Sequence, residues 1–165
     1  MNKIIFTVLF LIIASAFVFG QNNANNYFQL GGTFMVNSTS AVSIFSGGFN
    51  LAGNIFFNNY VGIGGYINLL IGSFYEVSFL ITDVLLGPAI RLVNTEQFRL
   101  PVALGVYTAG LYTKSVNVFN LGIGANLTGE YRINQRMHLY GRYQFAFGFL
   151  GGKEFFNSFS IGIGL

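Results

Sequence analysis

Apolar side chains alternate with small or polar ones along most of the chain after residue 26. In segment 61–71, for example, Val61, Ile63 and Ile67 are interleaved with glycine and tyrosine. A period of two residues is typical of a β-strand that has one face in apolar surroundings. The pattern predicts strands in segments 28–37, 49–58, 61–71, 80–92, 98–107, 119–132, 138–149 and 159–165.

The composition indicates that these strands lie in lipid. Hydrophobic residues make up 53% of the chain and charged residues only 8%, against about 25% charged in soluble domains. Helical bundles and closed barrels both satisfy every backbone group inside a membrane, and the alternation favours the barrel. A soluble lipocalin-like barrel would have to bury many aromatic side chains in a narrow lumen. The sequence therefore predicts an all-β, eight-stranded antiparallel transmembrane β-barrel over residues 27–165.

The first residues have the layout of a secretory signal peptide. A single charge at Lys3 precedes a long apolar run, and the small residues Val18 and Gly20 suit a cleavage site after Gly20. The alternative is a permanent helical anchor, but the polar residues that follow favour processing. We therefore interpret residues 1–20 as a signal peptide and 21–26 as a polar linker. The sequence has no cysteine, which excludes disulfides and thiolate chemistry.

Three strands contain a Gly-x-Gly pair, and the last strand is strongly apolar. The glycine pairs are Gly62 and Gly64, Gly122 and Gly124, and Gly162 and Gly164. Together with the alternation, these features resemble the small outer-membrane barrels of the OmpA/OmpX type. The resemblance implies a location in the outer membrane of a Gram-negative (diderm) bacterium, with the N-terminus in the periplasm and no peptidoglycan-binding domain after the barrel.

The same resemblance gives the final strand a role. In such barrels the last strand is an address read by the barrel-insertion machinery, here Phe159, Ile161, Ile163 and Leu165. The family's usual terminal residue is aromatic, and this chain has Leu165 instead. With a periplasmic N-terminus, the turns near Asn58, Asn94 and Asn134 face the periplasm. Short outer loops are then expected at 37–43, 72–78, 110–117 and 150–157, where a host or surface protein would bind.

Charged side chains are expected to meet inside the periplasmic half of the barrel. The residues concerned are Arg91, Arg99, Glu130, Arg132, His138 and Arg142. A charge in a narrow lumen must be paired or hydrated. We expect one ion-pair cluster with Glu130 as its central acceptor, which plugs the lumen. The alternative is a conducting pore, because inward glycines and alanines leave volume for water.

The outer half of the lumen is predicted to be apolar. Its inward residues are Met35, Leu70, Ile81, Leu85 and Leu150, with Phe155 and Phe156 in the loop above them. An apolar cup over a polar floor suits a small apolar ligand, although ordinary core packing gives the same pattern.

Pro88 and Pro101 lie on consecutive strands, and each removes one backbone hydrogen-bond donor from the sheet. They mark a possible lateral seam through which such a ligand would leave; the alternative is that both lie near the interface, where water compensates.

Other function classes have little support in the sequence. The formal charge is +3 without a basic cluster, which argues against nucleic acid as a partner. His138 and Asp83 fall at different levels of the barrel, so an enzyme is not expected. No metal-ligand spacing is present, and no cofactor is expected. The sequence predicts a structural or surface-interaction protein in contact with outer-membrane lipid; the alternative is a carrier or narrow pore for small apolar compounds.

Overall fold

The computed structural model describes residues 27–38, 43–74, 77–115, 117–134, 137–150 and 153–165. The predicted signal peptide, 1–20, and linker, 21–26, lie outside these residues. The strands are β1 (Tyr27–Ser38), β2 (Ser43–Phe56), β3 (Val61–Phe74), β4 (Val77–Asn94), β5 (Phe98–Tyr112), β6 (Asn117–Arg132), β7 (His138–Leu150) and β8 (Glu154–Gly164). Each is antiparallel to its neighbours, and β1 pairs with β8 to close the barrel. The predicted fold is confirmed.

Large apolar side chains cover the outside of the barrel. Phe49 is 72% exposed and Ile71 is 69% exposed, and similar residues are found on every strand. A surface of this size and apolarity is unfavourable in water, whereas it matches the lipid-facing band of a membrane barrel. No helix in the described ranges is long and apolar enough to cross a bilayer.

One end of the barrel, here called the turn end, holds Tyr27, Leu165 and the connections β2–β3, β4–β5 and β6–β7. These connections are short because side chains bond the local backbone. Asn58 Oδ1 accepts from the backbone N–H groups of Tyr60 and Val61, both at 2.8 Å. Asn134 Oδ1 accepts from Met137 N–H at 2.9 Å. Asparagine turns of this kind were predicted near 58 and 134, and the structure places them there.

The opposite end, here called the loop end, differs from the prediction. The strands continue into the segments that were expected to be loops, so that Asn37 pairs with Phe156 and Gly72 with Phe79. The gaps between strands are only 39–42, 75–76, 113–116 and 151–153. The sequence missed these extensions because backbone pairing does not need alternating side chains once a strand leaves the lipid. At the loop end the strands therefore remain paired almost as far as their short connections.

Candidate functional site in the lumen

The inward side chains form two regions along the barrel axis. The turn-end half is lined by polar and charged residues, and the loop-end half mainly by apolar ones. Alternation along each strand produces this arrangement, because every second residue points inward. The two regions are described in turn.

The centre of the turn-end half is the guanidinium of Arg142, which is 1% exposed. Its Nε donates to Thr128 Oγ1 at 2.8 Å and its Nη1 donates to Asn50 Oδ1 at 3.0 Å. Its Nη2 donates to Gln29 Oε1. These partners lie on β6, β2 and β1, so one side chain from β7 links four strands across the lumen.

Gln29 connects this cation to the nearest acid. Its Nε2 donates to Glu130 Oε1 at 2.8 Å and lies 3.2 Å from His138 Nε2. Glu130 Oε2 has no hydrogen-bond partner among the described residues, so no arginine there donates to this carboxylate. The hydrogen bonds therefore centre on Arg142 rather than on Glu130, as had been expected, and the Gln29 amide separates the two charges. Glu130 still interacts electrostatically with Arg91, Arg99 and Arg142. Alternation could not show this, since it gives the face of a side chain but not its partner.

Amide side chains extend the network toward the middle of the barrel. Asn50 Nδ2 donates to Asn68 Oδ1, and Asn68 Nδ2 donates to Gln144 Oε1 at 2.9 Å. Tyr140 OH donates to Asn50 Oδ1 at 3.1 Å, and Ser158 Oγ donates to Gln144 Oε1. The sequence placed the amides inward but assigned them no role. We call Gln29, Asn50, Asn68, Thr128, Glu130, Arg142 and Gln144 the polar network.

Three further arginines lie between the polar network and the turn end. Arg91 is buried, its guanidinium carbon is 3.8 Å from the centre of the Phe56 ring, and its Nη1 donates to Asn59 O at 3.2 Å. Arg99 is partly buried, 6.0 Å from the Tyr27 ring centre. Arg132 is partly exposed on β6.

His138 completes the predicted set at the turn end. It is buried and packs edge-on against Tyr27, with 5.0 Å between ring centres. The structure thus brings all six predicted side chains to the same half of the lumen, with Arg142 deepest among the arginines. Aromatic rings or the Gln29 amide contact each of them except Arg132, and the sequence did not indicate these contacts.

The loop-end half contains four of the five residues predicted for the apolar cup. Met35, Leu70, Ile81 and Leu85 are buried in one cluster. Leu150 was predicted to point inward, and this is wrong, because it is 56% exposed. A register shift pairs Leu121 with Leu150 but Gly122 with Gly148, which adds a residue to β7 and breaks its alternation.

Larger aromatic residues fill the rest of that cluster. Phe79, Tyr107 and Phe156 are buried with it, and the Tyr107 and Phe156 ring centres are 5.1 Å apart. Phe155 and Phe156 belong to β8 rather than to a loop, as had been expected. Alternation within β8 separates them, so Phe155 is exposed and Phe156 is buried. Large side chains therefore occupy part of the predicted cup.

The two prolines interrupt two different strand pairings. Pro88 is exposed on the outside of β4, and no register partner in β5 is found for Gly87 or Pro88. Pro101 is buried, and the β5–β6 pairing is interrupted at Leu100 and Pro101. The β4–β5 backbones nevertheless stay close, because a Cβ added to Gly87 would overlap the carbonyl oxygen of Leu104. The β4–β5 pairing also shifts register between Arg91, which pairs with Pro101, and Val93, so it is irregular beside both prolines. The lateral seam stays a prediction.

The residues predicted as an insertion signal lie on the outer face of β8 and at the end of the chain. Phe159, Ile161, Ile163 and Leu165 are all exposed to the lipid side. Leu165 is held in register, since its N–H donates to Phe28 O at 2.8 Å and its O accepts from Phe28 N–H at 3.1 Å. The outward face of β8 is therefore continuously apolar as far as the turn end.

A closed barrel of eight antiparallel strands with an apolar exterior and a polar lumen is the fold of a small outer-membrane β-barrel protein. Solved structures agree with this class. Neisserial surface protein A (NspA) superposes with a TM-score of 0.68 at 12% identity, covering 86% of this chain and 96% of NspA. This similarity shows the same fold, and the apolar exterior indicates that the barrel spans a lipid membrane.

Two other structures show the same fold. The attachment invasion locus protein Ail of Yersinia pestis, in complex with the heparin analogue sucrose octasulfate, has a TM-score of 0.66 at 16% identity and covers 84% of this chain and 95% of Ail. OprG from Pseudomonas aeruginosa has a TM-score of 0.61 at 12% identity and covers 85% of this chain and 94% of OprG. The sequence matches no family model and no curated protein.

Proposed function

We propose that the protein is an integral outer-membrane barrel whose lumen is closed to solutes, and which acts as a structural component or through its loop end at the cell surface. The observation that carries this proposal is the position of Arg142. Its three hydrogen bonds span the lumen from β7 to β1, β2 and β6. An eight-stranded barrel is only wide enough for side chains to fill its interior, so a side chain held at its centre blocks the path.

The regions on either side of Arg142 support a closed lumen. Toward the turn end, Gln29 and Glu130 occupy the space beside the guanidinium. Toward the loop end, Leu70 and Leu85 are fully buried in the apolar cluster. A solute would have to displace both layers, one hydrogen-bonded and one packed.

The alternative function, a carrier for small apolar compounds, draws its support from the apolar loop-end half. The packing of that half favours the closed barrel instead, because Met35, Leu70 and Leu85 are already surrounded by protein. Their burial is that of ordinary core packing. A lateral exit also has weak support, since the strands beside Gly87 are in close approach.

The surface role rests on the loop end. Ail, which shares the fold, is known in complex with a sulfated heparin analogue. In this chain Lys114 and Lys153 are exposed near the β5–β6 and β7–β8 connections of the loop end. We propose that a host or surface molecule contacts this end of the barrel. Replacement of both lysines by glutamine is expected to weaken binding of intact cells to an immobilised sulfated polysaccharide.

Liposome uptake tests the closed lumen. Residues 21–165 are refolded into liposomes, and entry of a small hydrophilic solute and of a small apolar dye is compared with protein-free liposomes. A closed barrel adds no entry of either compound. Because two layers close the lumen, the quadruple variant Gln29→Ala/Arg142→Ala/Leu70→Ala/Leu85→Ala is expected to admit the hydrophilic solute. Gln29→Ala/Arg142→Ala alone and the control Lys153→Ala are expected to remain closed.

The outcomes separate the two functions. Entry of the apolar dye alone through the unsubstituted barrel supports the carrier. Entry of the hydrophilic solute through the unsubstituted barrel contradicts closure by the polar network. In either case the proposal of a closed lumen is withdrawn.

A further inference from the structure

We propose that the turn-end mouth of the lumen binds an oxyanion of the phosphate class through Arg91, Arg99 and Arg132, here called the arginine rim. This inference depends on the barrel fold and goes beyond the closure of the lumen by Arg142. It assigns a binding site to three side chains that the polar network does not use.

The first observation is an imbalance of charge. The inward-facing side chains of the turn-end half, within the described residues, include four arginines and a single carboxylate, Glu130. Glu130 Oε1 is already bonded to Gln29. Glu96 is at the same end, but it is exposed in the β4–β5 turn. Glu130 interacts electrostatically with Arg91, Arg99 and Arg142, but one carboxylate cannot balance the charge of four arginines.

The second observation is a set of buried donors that lack acceptors. Arg91 is only 2% exposed, yet its Nε and Nη2 have no hydrogen-bond partner in the described part of the chain. The Nε of Arg99 is buried and also lacks a partner there. Buried charges are costly unless they are paired and hydrogen-bonded. An anion at this position would satisfy these donors.

The third observation is that the three side chains converge. They lie on the consecutive strands β4, β5 and β6, near the ends that meet at the turn end. Arg99 is close enough to Arg91 and Arg132 for mutual electrostatic repulsion. Like charges held together in a low-dielectric site attract a counter-ion strongly. Their arrangement therefore favours one shared anion over three separate ones.

The geometry of the guanidinium groups selects the chemistry. The face of Arg91 is covered by Phe56, and the Arg99 guanidinium lies near the Tyr27 ring. Stacking of this kind leaves the planar N–H edges for hydrogen bonding. The N–H groups along one edge can donate to two oxygens of a phosphate or carboxylate at once, whereas a spherical halide has no such pair of acceptor atoms. Free phosphate and the phosphate of a lipid headgroup share this chemistry.

The experiment uses the barrel of residues 21–165, refolded in a neutral, phosphate-free detergent such as octyl glucoside. Sodium phosphate is titrated while sodium chloride keeps the ionic strength constant. The Nε–Hε NMR signals of the arginines and the thermal unfolding midpoint are followed. We expect saturable shifts at Arg91 and Arg99 and a rise in the midpoint, because a ligand that binds only the folded state stabilises it.

Variants test the assignment. Arg99→Gln is expected to weaken phosphate binding about tenfold, equivalent to about 1.4 kcal/mol, and Arg99→Lys to restore part of it. Gln97→Ala shortens an exposed polar side chain of the β4–β5 turn at the same end and is the control, with no expected change. If Arg91→Gln does not fold, the Arg99 variants still decide the question, because Arg99 is only partly buried.

A second arm identifies the source of the oxyanion. The barrel is placed in nanodiscs with or without phosphatidic acid, in buffer that contains no free phosphate. Shifts at the same arginines with phosphatidic acid support a headgroup, and shifts with free phosphate alone support a soluble ion. Equal shifts with chloride, or unchanged binding in Arg99→Gln, would overturn the proposal.

Discussion

The two halves of the lumen are closed by different physical means. In the turn-end half, Arg142 and the amides around it are joined by hydrogen bonds of defined direction between strands that are not neighbours. In the loop-end half, Leu70, Leu85 and Phe156 are buried without such bonds. Directional bonds specify which side chains meet, whereas apolar packing mainly requires the correct volume. The first half should therefore tolerate substitution much less than the second.

Asp83 marks the border between the halves. It pairs across β3–β4 with Asn68 of the polar network and lies beside Tyr107 of the apolar cluster. It is 1% exposed, and its Oδ1 has no hydrogen-bond partner among the residues described. The change from one kind of packing to the other thus takes place within a few residues along the axis.

Removal of the central cation is expected to have the largest effect. Arg142→Leu leaves the acceptors of Gln29 and Thr128 unmatched and removes one of the two donors to Asn50 Oδ1, and each unmatched buried group costs about 1–3 kcal/mol. We expect a loss of about 3 kcal/mol or more in the free energy of unfolding, measured by urea titration in vesicles with the heat-sensitive gel mobility of the folded barrel as the signal.

The control for this variant is Lys114→Leu, which removes an exposed cation from the β5–β6 connection. Its expected change is about 0.5 kcal/mol, as for other surface substitutions. Similar losses for the two variants would show that the polar network has no special importance for stability.

A cavity in the loop-end half should have the next largest effect. Leu85→Ala removes a fully buried side chain, and we expect a loss of about 2–3 kcal/mol. Leu86→Ala is the matched control, since Leu86 is the next residue of β4 and faces lipid. It forms no cavity and should lose clearly less in the same urea titration. A larger loss for Leu86 than for Leu85 would contradict the assignment of the two faces.

Conservative replacements sharpen the comparison further. Arg142→Lys keeps the charge but not the planar set of donors, and we expect a loss of about 2 kcal/mol. Leu85→Met keeps the volume, and its loss should be below about 1.5 kcal/mol. Thermal unfolding compares the two variants. If Leu85→Met is less stable than Arg142→Lys, the proposed difference between hydrogen-bonded and apolar packing is wrong.

The prolines should have the smallest effect. Pro88→Ala and Pro101→Ala each restore one backbone donor beside an interrupted pairing, and a hydrogen bond contributes about 1 kcal/mol net. We expect each variant to be slightly more stable, by about 1 kcal/mol or less, without any change in dye uptake. Increased dye uptake by Pro88→Ala would show that this proline closes a lateral opening.

Some of this arrangement could be predicted from the sequence, and some could not. Alternation placed Gln29, Asn50 and Arg142 on the inner face, because the side-chain period of a strand is two. It could not show that Gln29 separates Arg142 from Glu130, because that depends on the height of each residue in the barrel and on side-chain rotamers. Register across the sheet determines the heights, and packing determines the rotamers. The residue pattern of a single strand contains neither.

The errors have a common physical origin. Leu150 was placed inward because one extra residue in β7 shifts the alternation, and nothing in the segment signals the bulge. The outer loops were predicted too long because backbone pairing continues through segments such as Asn37 and Gly72, where polar and small residues interrupt the alternation. Both errors occur at the loop end.

Planar-bilayer conductance is the most direct test of the closed lumen. The refolded barrel of residues 21–165 is inserted into a bilayer, and current is recorded across a range of voltages. We predict no discrete conductance steps for the unsubstituted barrel and clear steps for Gln29→Ala/Arg142→Ala/Leu70→Ala/Leu85→Ala. Steps through the unsubstituted barrel, or none through the folded quadruple variant, would contradict closure of the lumen by these two layers of side chains.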